Sequence, residues 1–432
     1  MKIHSIDIQN FRGFEKLSVN LHPEFTLLIG ENASGKTSLL SAISVAMGIW
    51  HVSSKGKGWR NILPYEVRLA PETRGDRPSF EPCEPVVVAA EGAIGGVTVD
   101  WKRQIKKGGV RTTNVDAKEA IELIAAEIAE ANGDTALPVL AFYGAGRSWI
   151  ASNERLKQEN GETSKPSRWE AYYGCLNERI RMKDLVNWFV RESASRDEKG
   201  RFRFGYEVVR YALTQCIPGA EHVGFDHNRL EPVITMKNGP VLFSNLSDGQ
   251  KSMAALVADI AIKAVTLNSH MSPKERSNDP LKELPNILKH TPGIVLIDEL
   301  DVHLHPKWQR HVVNDLRKTF PAIQFICSSH SPQIIGELNA EQIRVLVDGD
   351  DFELERAKGL SSNQVLEELM GAKSRNENTE NSIRSIARLI EDNQLDKAKK
   401  QIESLAEVVG ENDPAVIESL STISFLEADL RE

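Results

Sequence analysis

Gly30-Glu31-Asn32-Ala33-Ser34-Gly35-Lys36-Thr37 sets two glycines, a lysine and a hydroxyl residue at the spacing of a phosphate-binding loop. In such a loop, backbone N–H groups and the N-terminus of the following helix make a nest for phosphate oxygens. A lysine at position 36 reaches the β- and γ-phosphates, and the Thr37 hydroxyl ligates Mg²⁺. Gly30, Asn32, Ala33, Ser34, Gly35, Lys36, Thr37 and Ser38 are therefore the candidate residues for binding ATP or GTP. Much later, Gly293-Ile294-Val295-Leu296-Ile297 is an apolar run that ends in Asp298-Glu299. A strand delivering two acids supplies a carboxylate for the metal (Asp298) and, one residue on, a base for the attacking water (Glu299). Lys36 and Glu299 are thus catalytic candidates, and Thr37 and Asp298 are metal candidates.

The elements that must position these residues are legible. Phe25 to Ile29 reads as a buried strand before the loop, and Ser38 to Ile43 as the first turns of a helix after it. Val86-Val87-Val88 and Val97-Thr98-Val99, with a turn at Lys107-Gly108-Gly109, read as antiparallel strands. Asp116 to Asn132 has helical apolar spacing, Leu137 to Tyr143 reads as a short strand, and residues 168–215 read as mainly helical. The polar stretch 151–167 is expected to be a mobile loop, and Ser272 to Leu288 an insertion rich in proline and charge. Arg375 to Glu380 reads as a linker. Beyond it, Ile383, Ile386 and Ile390, then Leu395, Ala398, Ile402, Leu405 and Val409, form the stripes of amphipathic helices.

Two further motifs belong with the loop. Leu246-Ser247-Asp248-Gly249-Gln250 opens a helical pattern. A serine hydroxyl and glycine N–H groups at a helix N-terminus suit a γ-phosphate sensor, with Ser247, Asp248, Gly249 and Gln250 as nucleotide contacts. An ordinary cap by Ser247 or Asp248 is the other reading. Gln324 to Ser329 reads as a strand ending at His330, a candidate to bond the γ-phosphate and the water; a core histidine is the alternative.

Together these motifs resemble the head of ABC-type ATPases of the RecF, SMC and Rad50 branch, over most of residues 1–370. The resemblance implies ATP and Mg²⁺ as cofactors. It also implies an α/β fold: a P-loop ATPase head with a mixed sheet, an antiparallel β subdomain, a helical subdomain and a C-terminal helical segment. Leu246 to Gln250 then matches the signature motif, Leu300-Asp301 the loop after the acidic strand, and His330 the switch histidine. Asn10-Phe11-Arg12-Gly13-Phe14 is similar to the branch's N-terminal strand motif, where residues near the arginine contact the nucleotide; the resemblance thus implies nucleotide contacts at Arg12 and, in the loop after the acidic strand, at Asp301. Leu140 to Arg147 stands where the branch has its Q-loop but carries no glutamine. No long heptad array separates Gly30 from Leu246, which sets aside the DNA-tethering members. More narrowly, Tyr143 to Arg147, Leu246 to Gly249 and Asp298 to Pro306 resemble the compact ATPases of bacterial anti-phage systems, the Septu ATPase family PtuA in particular. That resemblance implies two partners: a second copy across an ATP sandwich, in a homodimer or larger homo-oligomer, and an HNH-type nuclease acting in trans. A RecF-like DNA-binding repair ATPase is the alternative.

Composition bounds the rest. A chain of 432 residues, 41% hydrophobic and 26% charged with net charge −8, reads as an ordinary soluble protein. No apolar stretch approaches the ~20 residues of a membrane span. Met1 to Ile8 alternates like a strand and lacks a signal peptide's apolar core. Four scattered cysteines fit a reducing, cytoplasmic setting and no zinc site. The expected domains are a head at 1–374, with a helical insertion at about 148–240, and a docking or oligomerisation segment at 375–432. His303-Leu304-His305, expected on a helix, faces two sides and reads as no metal pair. Asp348 to Asp351 reads as a hairpin turn rather than a nuclease acid cluster. Trp101 to Lys107 with Arg111 is the best basic cluster, and contact with DNA phosphates or a solvated hairpin are its two readings.

Overall fold

The computed structural model describes residues 1–53, 60–74, 77–130, 135–147, 168–180, 182–195, 200–273 and 285–429. Two compact units divide the chain, Met1–Leu360 and Ser361–Glu432. Residues 151–167 lie outside the described residues, as does most of the proline- and charge-rich insertion.

In the first unit, strands β1 (Lys2–Phe11) and β2 (Phe14–Asn20) form a hairpin, and β3 (Phe25–Ile29) leads into helices α1 (Lys36–Met47) and α2 (Trp50–Ser53). There follow hairpin β4 (Leu69–Arg74) and β5 (Arg77–Pro82), then β6 (Val86–Ile94), β7 (Val97–Ile105), β8 (Thr113–Val115), α3 (Lys118–Glu130) and β9 (Val139–Tyr143). Helices α4 (Met182–Ala194) and α5 (Phe204–Cys216) precede β10 (Ala220–Asp226), β11 (Glu231–Met236), β12 (Gly239–Leu242) and the long α6 (Asp248–Leu267). The unit closes with α7 (Asn286–His290), β13 (Gly293–Ile297), α8 (Pro306–Thr319), β14 (Ile323–Ser328), α9 (Pro332–Ile335), β15 (Ile343–Val347) and β16 (Asp350–Glu353).

The main sheet has six strands in the order β16-β15-β3-β14-β13-β9. All of its neighbours run parallel except the edge strand β16. Strands β3, β9, β13 and β14 read FTLLI, VLAFY, GIVLI and IQFICS, and every residue of each is buried. Continuous apolar runs are what a parallel strand covered on both faces requires. A second, antiparallel sheet has the order β2-β1-β6-β7-β8, and a third joins β10, β11 and β12. This is the mixed-sheet α/β head with antiparallel and helical parts that the sequence led us to expect.

One buried polar side chain ties two sheets together. Gln324 on β14 accepts from the Ile3 N–H (2.9 Å) and donates to the Ile3 and His22 carbonyls (2.7 and 3.0 Å). A buried amide with all these partners stabilises the register of β1 against the main sheet; without them it would cost a few kcal/mol, about 1–3.

The basic cluster on β7 is not what its composition suggests. Trp101 and Arg103 are both 1% exposed and point into the core. The Trp101 indole donates to the Ala46 carbonyl (3.0 Å), and Arg103 donates to the Val45 and Arg60 carbonyls and to Asn61 Oδ1. Both therefore hold the C-terminal carbonyls of α1, where a cation opposes the negative end of the helix dipole. Lys102, Lys106, Lys107 and Arg111 remain outside the core. Three other expectations can be placed. Asp348-Gly349 does close an antiparallel hairpin, β15 with β16. His303-Leu304-His305 does not lie on a helix: it forms the turn before α8, and His305 caps that helix by accepting from the Lys307 N–H. Arg375 to Glu380 is not a linker, because Asn376 accepts from the Thr379 N–H to cap a helix that begins at Glu377.

The second unit contains a short turn, α10 (Ser362–Gln364), and three helices, α11 (Glu377–Glu391), α12 (Leu395–Val409) and α13 (Pro414–Asp429). Ile386, Ala398, Ile402, Leu405, Val416 and Ile423 form its core. The Arg375–Asp413 ion pair (2.9 Å) pins the start of α11 to the start of α13. Ile417, Leu420 and Phe425 of α13 are exposed. Among the described residues no helix is long and apolar enough to cross a membrane.

A buried histidine gives the first unit a pH dependence. His51 on α2 is fully buried, with the Cys175 Sγ 3.6 Å from its Nε2 and the Tyr172 ring edge-on. Burial, and then the nearby Arg103 cation, push its imidazole down to about 4. The unfolded chain takes up this proton near pH 6.5, whereas the folded chain refuses it until about 4, so stability falls on acidification across that window. The full effect is about 3 kcal/mol. His51→Gln has no proton to gain there. Its melting temperature should fall less than that of the wild type between about pH 7 and pH 4.5, and equal falls would show that His51 is not the group responsible.

Candidate functional site

The C-terminal ends of β3, β13 and β14 meet at one edge of the main sheet, and the loop from Gly30 to Gly35 opens there. Gly35 has φ +99°, and a Cβ on it would lie 2.3 Å from Phe14 Cζ. Only glycine satisfies both the left-handed backbone and the ring packed against it. That ring belongs to the first residue of β2, next to the Arg12-Gly13 turn that joins it to β1. The turn carrying Arg12 is thereby held close to the loop. Arg12 donates to Glu66 Oε1 (3.0 Å). Glu66, itself fully buried, also pairs with Arg60 and accepts from the Leu63 N–H.

Lys36 folds back over the loop. Its ammonium donates to the Gly30 and Glu31 carbonyls (2.9 and 2.8 Å) and approaches Ser34 Oγ (3.4 Å). Burial lowers its pKa, and the Asp298 and Glu299 carboxylates oppose that shift. Glu31, Asn32, Ala33 and Thr37 are exposed, Ser34 and Ser38 half-buried. The loop therefore presents its outer surface to solvent while the lysine closes its inner one.

The acidic strand end is tied to the loop directly. The Thr37 hydroxyl donates to Asp298 Oδ2 at 2.7 Å, across 261 residues of sequence. Asp298 is 3% exposed, and its other oxygen accepts from the Ser328 hydroxyl. Ser328 also accepts from the Glu299 N–H (2.7 Å), and its carbonyl accepts from the Leu300 N–H (2.8 Å). Glu299 has φ +49°, a left-handed backbone unusual for a residue with a side chain. Such strain costs on the order of 1 kcal/mol or more and persists where surrounding bonds over-determine it. Asp301 Oδ1 accepts from the His330 N–H at 3.3 Å, which places the turn after β13 beside the turn after β14. His330 is half-buried, not sealed in the core.

Lys36, Thr37, Asp298, Glu299, Asp301 and His330 are thus brought to one sheet edge. The residue that sequence reasoning missed is Ser328, which organises both acids. Its signal was a pair of serines closing a buried apolar strand, and the switch histidine drew attention away from it. Ser247 plays the structural part foreseen as an alternative. Its hydroxyl accepts from the Gln250 N–H (3.3 Å), the Gln250 amide oxygen accepts from the Ser247 N–H (3.0 Å), and the pair makes a capping box for α6. Ser247 and Asp248 remain exposed. Gly249 is buried, and a Cβ on it would lie 2.2 Å from the His303 carbonyl oxygen. The N-terminus of α6 therefore packs on the turn that follows Asp298-Glu299. Gly249→Ala must push that turn away from the helix, at a cost of about 1–3 kcal/mol. The variant should show a lowered melting temperature and slower ATP hydrolysis together; a melting temperature equal to the wild type would mean that the turn yields freely.

Oxygen donors at Thr37 and Asp298 suit Mg²⁺, which takes one or two protein oxygens and completes its shell with phosphate and water. Among the described residues no cluster of three or more His, Cys, Asp or Glu forms an all-protein cage for a metal.

Residues 1–48 match the model of an AAA ATPase domain, and residues 186–336 match that of an AAA domain described as a putative AbiEii toxin of a type IV toxin–antitoxin system. The retron Ec83 probable ATPase of Escherichia coli is 24% identical over 85% of this chain and 76% of its own length. The Septu protein PtuA of Bacillus mycoides is 33% identical, with 81% of this chain and 41% of its own length covered. PtuA of Bacillus thuringiensis is 26% identical, with 85% and 84% covered. The chain thus spans less than half of the longer PtuA. The phosphate loop lies within the first AAA match and the acidic strand within the second, and the chain is similar to the Septu PtuA and retron ATPases.

Proposed function

We propose that this chain binds and hydrolyses ATP with Mg²⁺ as the regulatory subunit of an anti-phage defence complex, and that it controls a nuclease supplied in trans. The Thr37–Asp298 hydrogen bond carries the reading. It joins a phosphate-cradling loop to a buried carboxylate at the distance at which both oxygens serve one cation. Thr37 and Asp298 would hold Mg²⁺, which supplies charge neutralisation on the phosphates when bound.

The chain's own residues divide the remaining work. Loop N–H groups and Lys36 bind the β- and γ-phosphates; for this the lysine exchanges the Gly30 and Glu31 carbonyls for phosphate oxygens. Glu299, held in its strained backbone by Ser328, takes the proton of the attacking water. His330 and Asp301, on adjoining turns, orient the γ-phosphate and the water. Arg12, held by Glu66, supplies a cation at the flank of the loop.

Ser247, Asp248 and Gln250 act on a second molecule. They stand at the N-terminus of α6, Ser247 and Asp248 exposed and Gln250 half-buried, where a helix end attracts an anion. A head-to-tail homodimer with ATP between the loop of one copy and the signature of the other follows from one loop and one signature per chain. ATP binding closes the pair, hydrolysis opens it, and the partner reads the difference. The relatives named Septu PtuA favour a nuclease of HNH type as that partner, and the exposed Ile417, Leu420 and Phe425 of α13 give residues 376–432 a surface to receive it. A RecF-like repair ATPase is the second reading; burial of Arg103 weakens its basic surface, leaving Lys102, Lys106, Lys107 and Arg111 to meet phosphates.

Lys36→Ala should abolish nucleotide binding. Glu299→Gln should bind ATP, lose turnover by about two orders of magnitude or more, and accumulate as a dimer. Turnover at the wild-type rate in Glu299→Gln would remove it as the base. Native mass spectrometry of the protein captured from its own host, with and without ATP, decides between the functions. A co-purifying subunit with HNH motifs supports the defence complex, and a bare homodimer that binds gapped duplex in ATP supports repair.

A further inference from the structure

The signature helix α6 and the acidic strand β13 are joined at two points. The first is the contact of Gly249 with the His303 carbonyl, at the start of the helix. The second lies three turns further along, at a residue that the nucleotide site does not use. Tyr143 ends β9, where it pairs with Ile297 of β13, and its carbonyl accepts from the Asp298 N–H at 2.8 Å. Its backbone is therefore bonded to the metal-site carboxylate's own residue. Its side chain runs the other way: the phenol donates to Asp259 Oδ2 on α6 at 2.6 Å. Asp259 in turn forms an ion pair with Lys263, one turn on, whose ammonium lies 5.9 Å from the centre of the Tyr143 ring.

Tyr143 is 2% exposed, and burial, then the Asp259 charge and hydrogen bond, raise its phenol well above the ordinary value, so it stays a proton donor at any working pH. Asp259 and Lys263 face a cleft they share with Asp184, Trp188 and Arg191 of α4. On that side α6 borders open space, so a directional bond, not close packing alone, fixes its register against β9. With its phenol committed to α6, Tyr143 is not a metal or water ligand.

We propose that Tyr143, through its bond to Asp259, is a positioning residue that makes α6 and the Asp298-Glu299 strand end move as one body, so that engagement of the signature by a second copy is felt at Asp298. The proposal rests on the nucleotide reading above. A chain that merely packs a tyrosine would lose stability without it; a chain that uses the tie would lose turnover while keeping its hold on ATP.

The test is steady-state ATPase activity, affinity for a fluorescent ATP analogue, and melting temperature of the full chain, in the wild type, Tyr143→Phe, Asp259→Ala and the double variant. Tyr143→Phe keeps the ring and removes only the donor. We expect kcat to fall about ten-fold in each single variant while affinity stays within about two-fold. The double variant should be no slower than the singles, as for two ends of one interaction. If Tyr143→Phe does not fold, Asp259→Ala, whose site borders the cleft, decides alone. Wild-type turnover in the single variants, or additive losses in the double, overturns the tie. Failure of the wild type to bind the analogue would instead sink the nucleotide reading, which Lys36→Ala checks independently.

Discussion

A buried carboxylate must find partners, and the architecture of this chain's first unit is arranged around one that does. Asp298 is almost wholly removed from solvent, and an isolated carboxylate there would cost several kcal/mol, roughly the stability of a whole domain. Its carboxylate is satisfied by hydroxyls from Thr37 and Ser328, and its backbone N–H donates to the Tyr143 carbonyl. Those partners lie on α1, β14 and β9. For all three to reach one residue, β3, β14, β13 and β9 must end at a common level, and the order β3-β14-β13-β9 in the sheet puts them side by side. The requirement is geometric. Sliding any one strand by a residue would turn its side chains to the opposite face and strand the charge.

The second constraint is that α1, whose N-terminus carries the loop, has to be held at its other end. Arg103 and Trp101 do this by donating to the last carbonyls of the helix, Val45 and Ala46. Arg103 pays for its burial by making several charge-assisted bonds, and burial, then the Arg60 charge, lower its pKa to about 10 without neutralising it near pH 7. The antiparallel sheet is therefore more than a lid on the main sheet. Through the bonds of Ile3 on β1 to Gln324 and of Arg103 on β7 to α1, it fixes both the sheet that carries Asp298 and the helix that carries Lys36 and Thr37.

This explains which features could be read from the sequence. Buried parallel strands announce themselves as continuous apolar runs, and the phosphate loop by glycines that no other residue can replace, so Phe25 to Thr37 and Gly293 to Glu299 were legible without coordinates. The hairpin at Asp348-Gly349 was legible for the same reason, because its turn residues are chemically restricted. Arg103 was not. A run of Trp-Lys-Arg-Gln-Ile-Lys-Lys has the composition of a solvated or phosphate-binding surface, and only the alternation of the strand, which turns residues 101, 103 and 105 inward, separates the buried cation from the outward ones. Nor was His305 legible as a cap, since histidine is not among the residues that usually accept at that position. The roles of Ser328 and Tyr143 were not legible because each acts through a partner more than 25 residues away, and a local pattern such as the serine pair at 328–329 does not name that partner.

The residues held at positive φ carry the argument furthest. Beyond the glycines, left-handed backbone occurs at Arg12, Ala33, Glu299 and His303, among other positions. Each belongs to a segment at or beside the C-terminal edge of the main sheet: the turn before Phe14, the phosphate loop, the acid that follows Asp298, and the turn on which Gly249 packs. Strain of this kind survives only where neighbouring bonds outweigh it. Here the neighbours are identifiable: Glu66 for Arg12, Ser328 for Glu299, the buried start of α6 for His303. Relaxing the backbone at Arg12 or Glu299 would lower the local energy and move a charged side chain out of place. The fold therefore spends part of its stability to keep those groups in place, which is what a site that must be ready before its ligand arrives requires.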